Sequence, residues 1–197
     1  MNVKLDQKKV YKNIIRDKIL EKNKRITKER PFHLSLDTDQ HGMIKCHIDG
    51  WMHIDEAKVL WQTIQNRKNC LELGTYKGLS TWILSEANPD CKITSLDIFP
   101  ENTSAAKLNC VGKNNINFLT EDSNEWLDNT TQKFDWVFVD HSHESFYMDR
   151  TIMLLSKCLA EDHLILLHDM HLQGVQQQSY KFANLTRIRN LGIGTLS

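Results

Sequence analysis

Two acidic residues lie at or near the ends of short apolar segments, where a carboxylate can bind the hydroxyl or amino groups of a ligand. Glu72 precedes the turn that begins at Gly74, and Asp97 closes the apolar run 93–96. An acid at the end of the second strand of a doubly wound sheet is placed to bind the two hydroxyls of a ribose. The glycine turn and the later acid together predict a nucleoside cofactor.

The turn itself contains two glycines four residues apart, Gly74 and Gly78. A short apolar run that ends on glycine indicates a buried strand entering a tight turn before a helix. Gly74 can adopt a backbone conformation that a Cβ forbids, and Gly78 can allow a strand and a helix to approach closely. Backbone N–H groups at such a helix start have no partner in the helix and can face a ligand.

A second group of polar side chains follows two later apolar runs. Asp140, His141 and His143 come after the run 134–139, and His168 and Asp169 come after the run 164–167. The ligand crevice of an open α/β sheet lies beyond the carboxyl ends of its strands, so we expect these residues to face it. Two carboxylates there can hold a hard divalent cation, and a neutral imidazole can accept a proton from a hydroxyl near pH 7.

The pattern of apolar residues predicts alternating strands and helices between residues 52 and 184. We expect strands at 69–73, 92–96, 116–119, 134–139 and 163–168, and helices at 1–30, 52–66, 79–87, 102–112, 123–128, 146–159 and 174–184. Such alternation is typical of an α/β fold, a doubly wound and mostly parallel sheet covered on both faces. Residues 31–50 are a break with a hairpin or loop at 37–42, and the tail 185–197 looks short for two full strands.

The segment from Glu72 to Thr81 resembles the first motif of class I S-adenosylmethionine-dependent methyltransferases. It is nearest to the branch of small-molecule O-methyltransferases whose turn reads Glu-x-Gly-x-Tyr-x-Gly-x-Ser-Thr. A dinucleotide fingerprint would need a glycine where Tyr76 stands, which makes an NAD-dependent oxidoreductase the weaker interpretation. The resemblance implies a Rossmann-like methyltransferase domain at 51–197, preceded by an N-terminal helical cap at 1–50.

The resemblance also implies roles for individual residues, with S-adenosylmethionine as the cofactor and a hydroxyl of a small molecule as the acceptor. Asp122 and Ser123 would contact the adenine, although Asp-Ser is also an ordinary start of a helix. The cofactor contacts implied are Glu72, Gly74, Thr75, Tyr76, Lys77, Gly78, Ser80, Asp97, Asp122 and Ser123. The catalytic side would comprise Asp140, His141, His143 and Asp169. Some relatives use Mg²⁺, for which the ligands here would be Asp140, His168 and Asp169.

Composition sets the broad class of protein. The 197 residues carry a formal net charge of zero and five scattered cysteines without a CxxC pair, typical of a reduced, cytoplasmic protein. We see no membrane span, signal peptide or nucleic-acid motif. Residues 8–30 hold ten Lys/Arg against three Asp/Glu, which suits either a solvated helix or an arm that meets an anionic partner. A homodimer formed through the cap is expected by analogy alone, and a non-catalytic methyltransferase-like scaffold remains an alternative.

Overall fold

The computed structural model describes residues 30–196. The helix predicted for residues 1–30, with nearly all of the basic segment 8–30, lies outside these residues. The elements, in chain order, are β1 (Asp37–Thr38), β2 (Ile44–Lys45), α1 (Ile54–Ile64), β3 (Asn69–Leu73), α2 (Leu79–Ala87), β4 (Lys92–Asp97), α3 (Pro100–Asn109), β5 (Ile116–Thr120), α4 (Ser123–Asn129), β6 (Phe134–Val139), α5 (Ser145–Cys158), β7 (Leu159–Leu167), α6 (Gln173–Gln176), a 3₁₀ helix (Gln177–Lys181), β8 (Phe182–Ile188) and β9 (Leu191–Leu196).

A seven-stranded sheet in the order β5-β4-β3-β6-β7-β9-β8 forms the centre of the fold. The first five of these strands run parallel, and β9 and β8 are antiparallel to their neighbours. The predicted fold class, an α/β fold with a doubly wound and mostly parallel sheet, is confirmed. Because the strand order reverses between β3 and β6, the loops after these two strands diverge and leave a crevice between them.

Both faces of the sheet are covered, as expected for parallel strands with nearly continuous apolar sequence. Trp136 and Phe138 of β6 pack on one face with Trp61 of α1, whereas Val137 and Val139 pack on the other with helix α5. The alternation along β6 follows from the period of two in a strand. These two buried layers fix the strand ends from which the polar residues project.

The C-terminal part of the chain differs from the sequence prediction. The helix predicted at 174–184 is only α6 and a 3₁₀ turn, and the tail is not too short for two strands, since β8 begins inside the predicted helix at Phe182. β9 pairs with the otherwise open edge of β7, and β8 then pairs with β9. This pairing is a long-range effect, because the free edge of β7 is not visible in the local pattern of residues 174–196.

Residues 30–50 include a short hairpin, in which β1 pairs antiparallel with β2. Ile44 and Ile48 are buried in the same apolar core as α1 and α2. The hairpin predicted around residues 37–42 is thus present, and the described part of this segment packs onto the domain. The domain boundary at residue 50 stays a prediction. Among the helices of residues 30–196, none has both the length and the apolar character needed to cross a membrane.

Candidate functional site

A cavity of about 490 Å³ opens at the carboxyl ends of β3, β4 and β6. Its walls come from the turn after β3, the residues after β4, the start of α4, the loop after β6 and residues 50–52. Of the residues that the sequence assigned to a ligand, nine line it: Gly74, Thr75, Tyr76, Ser80, Asp97, Asp122, Ser123, Asp140 and His141. The predicted site residues at or after the ends of four strands, β3, β4, β5 and β6, therefore meet in one place.

The turn after β3 depends on its two glycines. Gly74 has a φ of 99°, and a Cβ there would lie 2.0 Å from the carbonyl oxygen of Asp140. Gly78 has a φ of 86° and precedes α2, where a Cβ would lie 3.0 Å from the Cβ of Ala106 on α3. Gly78 thus allows two helices to approach, whereas the sequence suggested a strand and a helix. The positive φ values are accessible to glycine at little cost.

Asp97 joins the glycine turn to the end of β4. Its Oδ2 accepts a hydrogen bond from the Tyr76 backbone N–H at 2.7 Å, and its Oδ1 accepts from Phe99 N–H and from the Asn102 side chain. A carboxylate has about four lone-pair sites, so one acceptor position on Oδ2 remains for a ligand. Asn102 also lines the cavity, and sequence reasoning had not selected it.

Glu72 lies beneath the floor of the cavity and does not line it. Its side chain is fully buried, and its Oε2 accepts hydrogen bonds from the hydroxyls of Thr81 and Ser95. Burial raises the pKa of Glu72 to about 7, although hydrogen bonds from these hydroxyls and from Ser80 oppose the rise. Direct contact with a ligand, as the sequence suggested, is not a feature of this arrangement. Glu72 supports the turn from below.

Lys77 does not line the cavity. Its ammonium group lies 2.7 Å from the carboxylate of Asp49, which also accepts a hydrogen bond from the Tyr76 hydroxyl. These contacts join the segment before Trp51 to the turn after β3. Neither Lys77 nor Gly78 lines the cavity, so both act on the turn and not directly on the cavity as it stands.

Asp122 has two functions in the structure. Its Oδ1 accepts hydrogen bonds from the N–H groups of Asn124 and Glu125, which caps α4, while its Oδ2 accepts one from the Tyr147 hydroxyl at 2.6 Å. Burial acts to raise the pKa of Asp122, but these hydrogen bonds outweigh it and lower the pKa. The Asp122 side chain thus both caps α4 and lines the cavity. Tyr147 is a further cavity residue that the sequence did not reveal.

A buried chain of charged groups leads from α1 to the cavity. His168 Nδ1 lies 3.1 Å from Asp140 Oδ1, and His168 Nε2 lies 3.5 Å from Glu56 Oε2. Because carboxylates accept hydrogen bonds, both ring nitrogens must donate. Burial alone would lower the pKa of His168, but its bonds to Asp140 and Glu56 outweigh this and raise it well above the usual value. Both ring nitrogens of His168 thus have partners within the protein in this structure, and its role as a metal ligand stays a prediction.

His141 lines the cavity but has partners within the protein. Its Nδ1 lies 3.2 Å from the Ser142 carbonyl oxygen and its Nε2 lies 3.1 Å from the Thr151 hydroxyl. Burial lowers the pKa of His141 to about 4, so the ring is neutral at pH 7. A base whose conjugate acid has so low a pKa is a weak acceptor of protons.

His143 and Asp169 form a pair behind the cavity wall. His143 Nε2 lies 3.2 Å from Asp169 Oδ2, which raises the pKa of the imidazole and lowers that of the carboxyl group. Neither side chain lines the cavity, although both adjoin Asp140. Three groups that could ligate a metal come together here, namely Asp140, His143 and Asp169, whereas the sequence prediction named Asp140, His168 and Asp169.

The mouth of the cavity has an apolar rim. Trp51 is 82% exposed, and Ile98 and Phe99 are each 56% exposed, although all three line the cavity. Large apolar side chains that remain exposed beside a cleft are typical of ligand-binding surfaces. The sequence does not reveal such residues, because the residue type of an aromatic side chain does not show whether it is exposed or buried.

Comparison with known proteins agrees with this geometry. Residues 71–170 match the family model described as a methyltransferase domain, and the chain belongs to that family. No curated protein matches the chain in sequence. Solved structures do match, with low sequence identity.

Three of these structures illustrate the likeness. A proposed caffeoyl-CoA O-methyltransferase from Staphylococcus aureus is 17% identical with a TM-score of 0.65, covering 76% of this chain and 86% of that one. The O-methyltransferase TomG from Streptomyces achromogenes, solved with S-adenosylmethionine, is 14% identical with a TM-score of 0.62, covering 74% and 81%. The Podospora anserina methyltransferase PaMTH1, solved with S-adenosylhomocysteine, is 18% identical with a TM-score of 0.60, covering 72% and 78%. At these identities the likeness establishes the fold.

Proposed function

We propose that this protein transfers the methyl group of S-adenosylmethionine to a hydroxyl oxygen of a small-molecule acceptor. The observation that carries the proposal is the cavity between the glycine turn, Asp97 and Asp122 on one side and Asp140 on the other. The membership of the methyltransferase domain family supports the reaction class. The O-methyltransferases among the structural neighbours favour oxygen as the acceptor atom.

On the cofactor side, Gly74, Thr75 and Ser80 would surround the methionine part, and Asp97 would bind the ribose hydroxyls. The free acceptor position on Asp97 Oδ2 supports this assignment. Asp122 and Ser123 would contact the adenine, and Tyr147, which hydrogen bonds to Asp122, would hold that carboxylate in place.

On the acceptor side, Asp140 is the ionisable group best placed to orient a hydroxyl, because it lines the cavity and its carboxylate is held by His168. Transfer is an in-line displacement at the sulfonium methyl, so alignment and the exclusion of water supply most of the rate enhancement. His141 would shape the pocket more than it would remove the proton, because of its low pKa. The Mg²⁺ site suggested by the sequence, with Asp140, His168 and Asp169 as ligands, stays a proposal, which the short distances from His168 Nδ1 to both carboxylates support.

A thermal-shift experiment tests the cofactor. The full chain is heated with S-adenosylhomocysteine, S-adenosylmethionine, NADH or buffer. A ligand at 100 times its dissociation constant stabilises the native state by about 2.7 kcal/mol, which raises the Tm by roughly 5–10 °C for a domain of this size. A rise with both adenosyl compounds and none with NADH is expected. A rise with NADH alone would favour the oxidoreductase alternative and contradict the proposal.

A second candidate, a non-catalytic protein that binds the cofactor, is favoured by one specific observation. Both ring nitrogens of His141 are engaged within the protein, so the histidine most directly exposed to the cavity is a poor base. This candidate predicts binding of S-adenosylmethionine without its conversion to S-adenosylhomocysteine in the presence of any of a panel of phenols, sugars and hydroxylated metabolites. Methyl transfer to any of them would exclude it. Homodimer formation and the absence of nucleic-acid and membrane partners remain proposals, which size-exclusion and binding assays can test.

A further inference from the structure

The two edges of the central sheet differ in the features that discourage pairing with another chain. β8, at one edge, has an irregular register between Ala183 and Thr186 and carries the exposed Arg187. β5, at the other edge, pairs regularly with β4, and its residues 116–120 include no charged residue and no proline. Bulges, charges and prolines are the usual protection of a sheet edge. β5 therefore lacks the protection that β8 has.

Hydrogen bonds at both ends of β5 show which of its backbone groups face β4. The N–H of Ile93 donates to the Asn115 carbonyl oxygen at 2.9 Å, and the N–H of Glu121 donates to the Asp97 carbonyl oxygen at 3.1 Å. Because the direction of the backbone groups alternates along a strand, the odd-numbered residues of β5 direct theirs toward β4. The even-numbered residues direct theirs away from it.

Three residues of β5 therefore present backbone groups at the open edge, namely Ile116, Phe118 and Thr120. Each offers one N–H donor and one carbonyl acceptor. In the part of the chain that the structure describes, no strand pairs with this side of β5. Donors and acceptors that alternate in this way are complementary to an extended strand, which can add to the edge of a sheet.

Apolar side chains accompany this edge. Leu108 and Val111 are 76% and 80% exposed, and they lie in the segment that leads into β5 from α3, a helix that itself contacts β5. Ile116 and Phe118 of the strand are only partly buried. Large apolar side chains that remain exposed close together are typical of protein interaction sites. A partner that pairs with β5 would also cover apolar surface.

The outward backbone groups of β5 are symmetric about Phe118. Ile116 and Thr120 each lie two residues from it, so a second copy of β5 can lie antiparallel across a two-fold axis at Phe118. Phe118 then faces Phe118 of the partner subunit, and Ile116 faces Thr120 of the partner subunit. In such an antiparallel arrangement each facing pair exchanges two hydrogen bonds, and the surface is complementary to itself.

The charges that flank β5 also favour an antiparallel copy. Lys113 precedes the strand and the exposed Glu121 follows it. Lys113 contacts Glu86 of its own chain and is still partly exposed. The antiparallel arrangement sets the basic end of one strand against the acidic end of the other, whereas a parallel copy would set like charges side by side, which is destabilising.

We propose that β5 is an interface at which a second copy of this chain adds its own β5, so that two seven-stranded sheets become continuous. The occupant is a second copy because both the backbone groups and the flanking charges of β5 are complementary to themselves. This interface differs from the homodimer expected by analogy, which would use the cap at residues 1–50. It does not depend on the proposed methyl transfer.

Sedimentation equilibrium of the full chain, over a range of concentrations, measures the association. Amide hydrogen exchange of the same samples locates it. We expect a monomer–dimer equilibrium in which exchange at Ile116, Phe118 and Thr120 slows as the dimer fraction rises, because these N–H groups then become hydrogen bonded. A chain that stays monomeric, or a dimer that leaves the exchange of these amides unchanged, would overturn the proposal.

Two proline variants test the pairing itself. Thr120→Pro removes one outward N–H from each copy, and proline is tolerated on an edge strand where its nitrogen faces away from the sheet. Loss of these hydrogen bonds should weaken the dimer by about tenfold or more. Thr131→Pro is the matched control, because Thr131 is an exposed threonine in the loop before β6. An unchanged dimer in Thr120→Pro, or an equal loss in the control, would exclude this interface.

Circular dichroism and the Tm show whether each variant is folded, without any cofactor. Should Thr120→Pro not fold, Thr120→Lys replaces it, since a lysine also discourages pairing at a sheet edge; a dimer of unchanged strength in that variant would equally exclude the interface. Thr120 does not line the cavity, so the thermal shift with S-adenosylhomocysteine should be the same in the variants and the wild type. The interface and the proposed methyl transfer can therefore fail separately.

Discussion

The backbone N–H of Tyr76 donates a 2.7 Å hydrogen bond to the carboxylate of Asp97, which joins the glycine turn after β3 to the end of β4. Tyr76 has a φ of 46°, a left-handed conformation that is uncommon for a residue with a side chain. The Asp97 carboxylate therefore both stabilises this turn and presents its remaining acceptor position to the cavity. The turn and the proposed ribose contact depend on the same side chain.

We predict that Asp97→Asn weakens binding of S-adenosylhomocysteine by about 10- to 100-fold, as expected for the loss of a charged hydrogen-bond acceptor. The amide NH₂ group would also face one of the donors that now bond to the carboxylate. Calorimetric titration measures the affinity, and Asp90→Asn, an exposed aspartate away from the cavity, is the control. An unchanged affinity in Asp97→Asn would remove Asp97 from the cofactor site.

Gly74→Ala should destabilise the protein far more than Gly112→Ala. Both glycines have positive φ values, but a Cβ on Gly74 would meet the Asp140 carbonyl oxygen at 2.0 Å, whereas nothing lies within 4 Å of a Cβ on Gly112. We expect a loss of about 1 kcal/mol for Gly112→Ala from backbone strain alone and of more than about 3 kcal/mol for Gly74→Ala. Urea unfolding of both variants measures the difference, and equal losses would contradict the close contact.

Glu72 should make stability fall as the pH rises. Its pKa is raised from 4.5 to about 7 by burial, so between these values the native state binds more protons than the unfolded state. The free energy of unfolding therefore decreases from pH 4.5 to 7, by about 3 kcal/mol from this group. Glu72→Gln removes the titration, and the difference between the wild-type and variant pH profiles isolates it from the histidines. A difference that does not vary across that range would contradict the raised pKa.

The central part of the fold could be predicted because its signals are local. The strand at residues 134–139 and the helix at 79–87 were predicted with the bounds that the structure gives, since each has its own apolar period and its own polar boundary. The C-terminal hairpin was missed because β8 is stabilised by pairing with β9. Such pairing depends on residues distant in sequence and outweighs the weak helical pattern of residues 174–184.

Only those site residues that lie at or just after the ends of strands could be predicted from the sequence. Asp97 is the last residue of β4, Asp122 lies two residues after β5, and Asp140 directly follows β6. Each therefore reaches the cavity from a strand end. Glu56 could not be found this way, since it lies on α1 and meets His168 through packing across 112 residues of chain. Whether the ring nitrogens of His168 are free depends on its partners Asp140 and Glu56. The sequence next to His168 does not show that Glu56 is one of them.

His141 should stay neutral far below the usual pKa of histidine. Burial lowers its pKa from 6.5 to about 4, and the Ser142 carbonyl can only accept a hydrogen bond, so Nδ1 should carry the proton of the neutral ring. Nitrogen-15 NMR of the full chain, with His141→Asn to assign the signal, measures both the tautomer and the titration. We expect the Nδ1–H form at pH 7 and a midpoint near pH 4. Because the unfolded state binds the proton first, stability should rise between pH 4 and 6.5, by about 3 kcal/mol from this residue. A midpoint near 6.5 would show that His141 is open to solvent, and it would then regain its place as the general base.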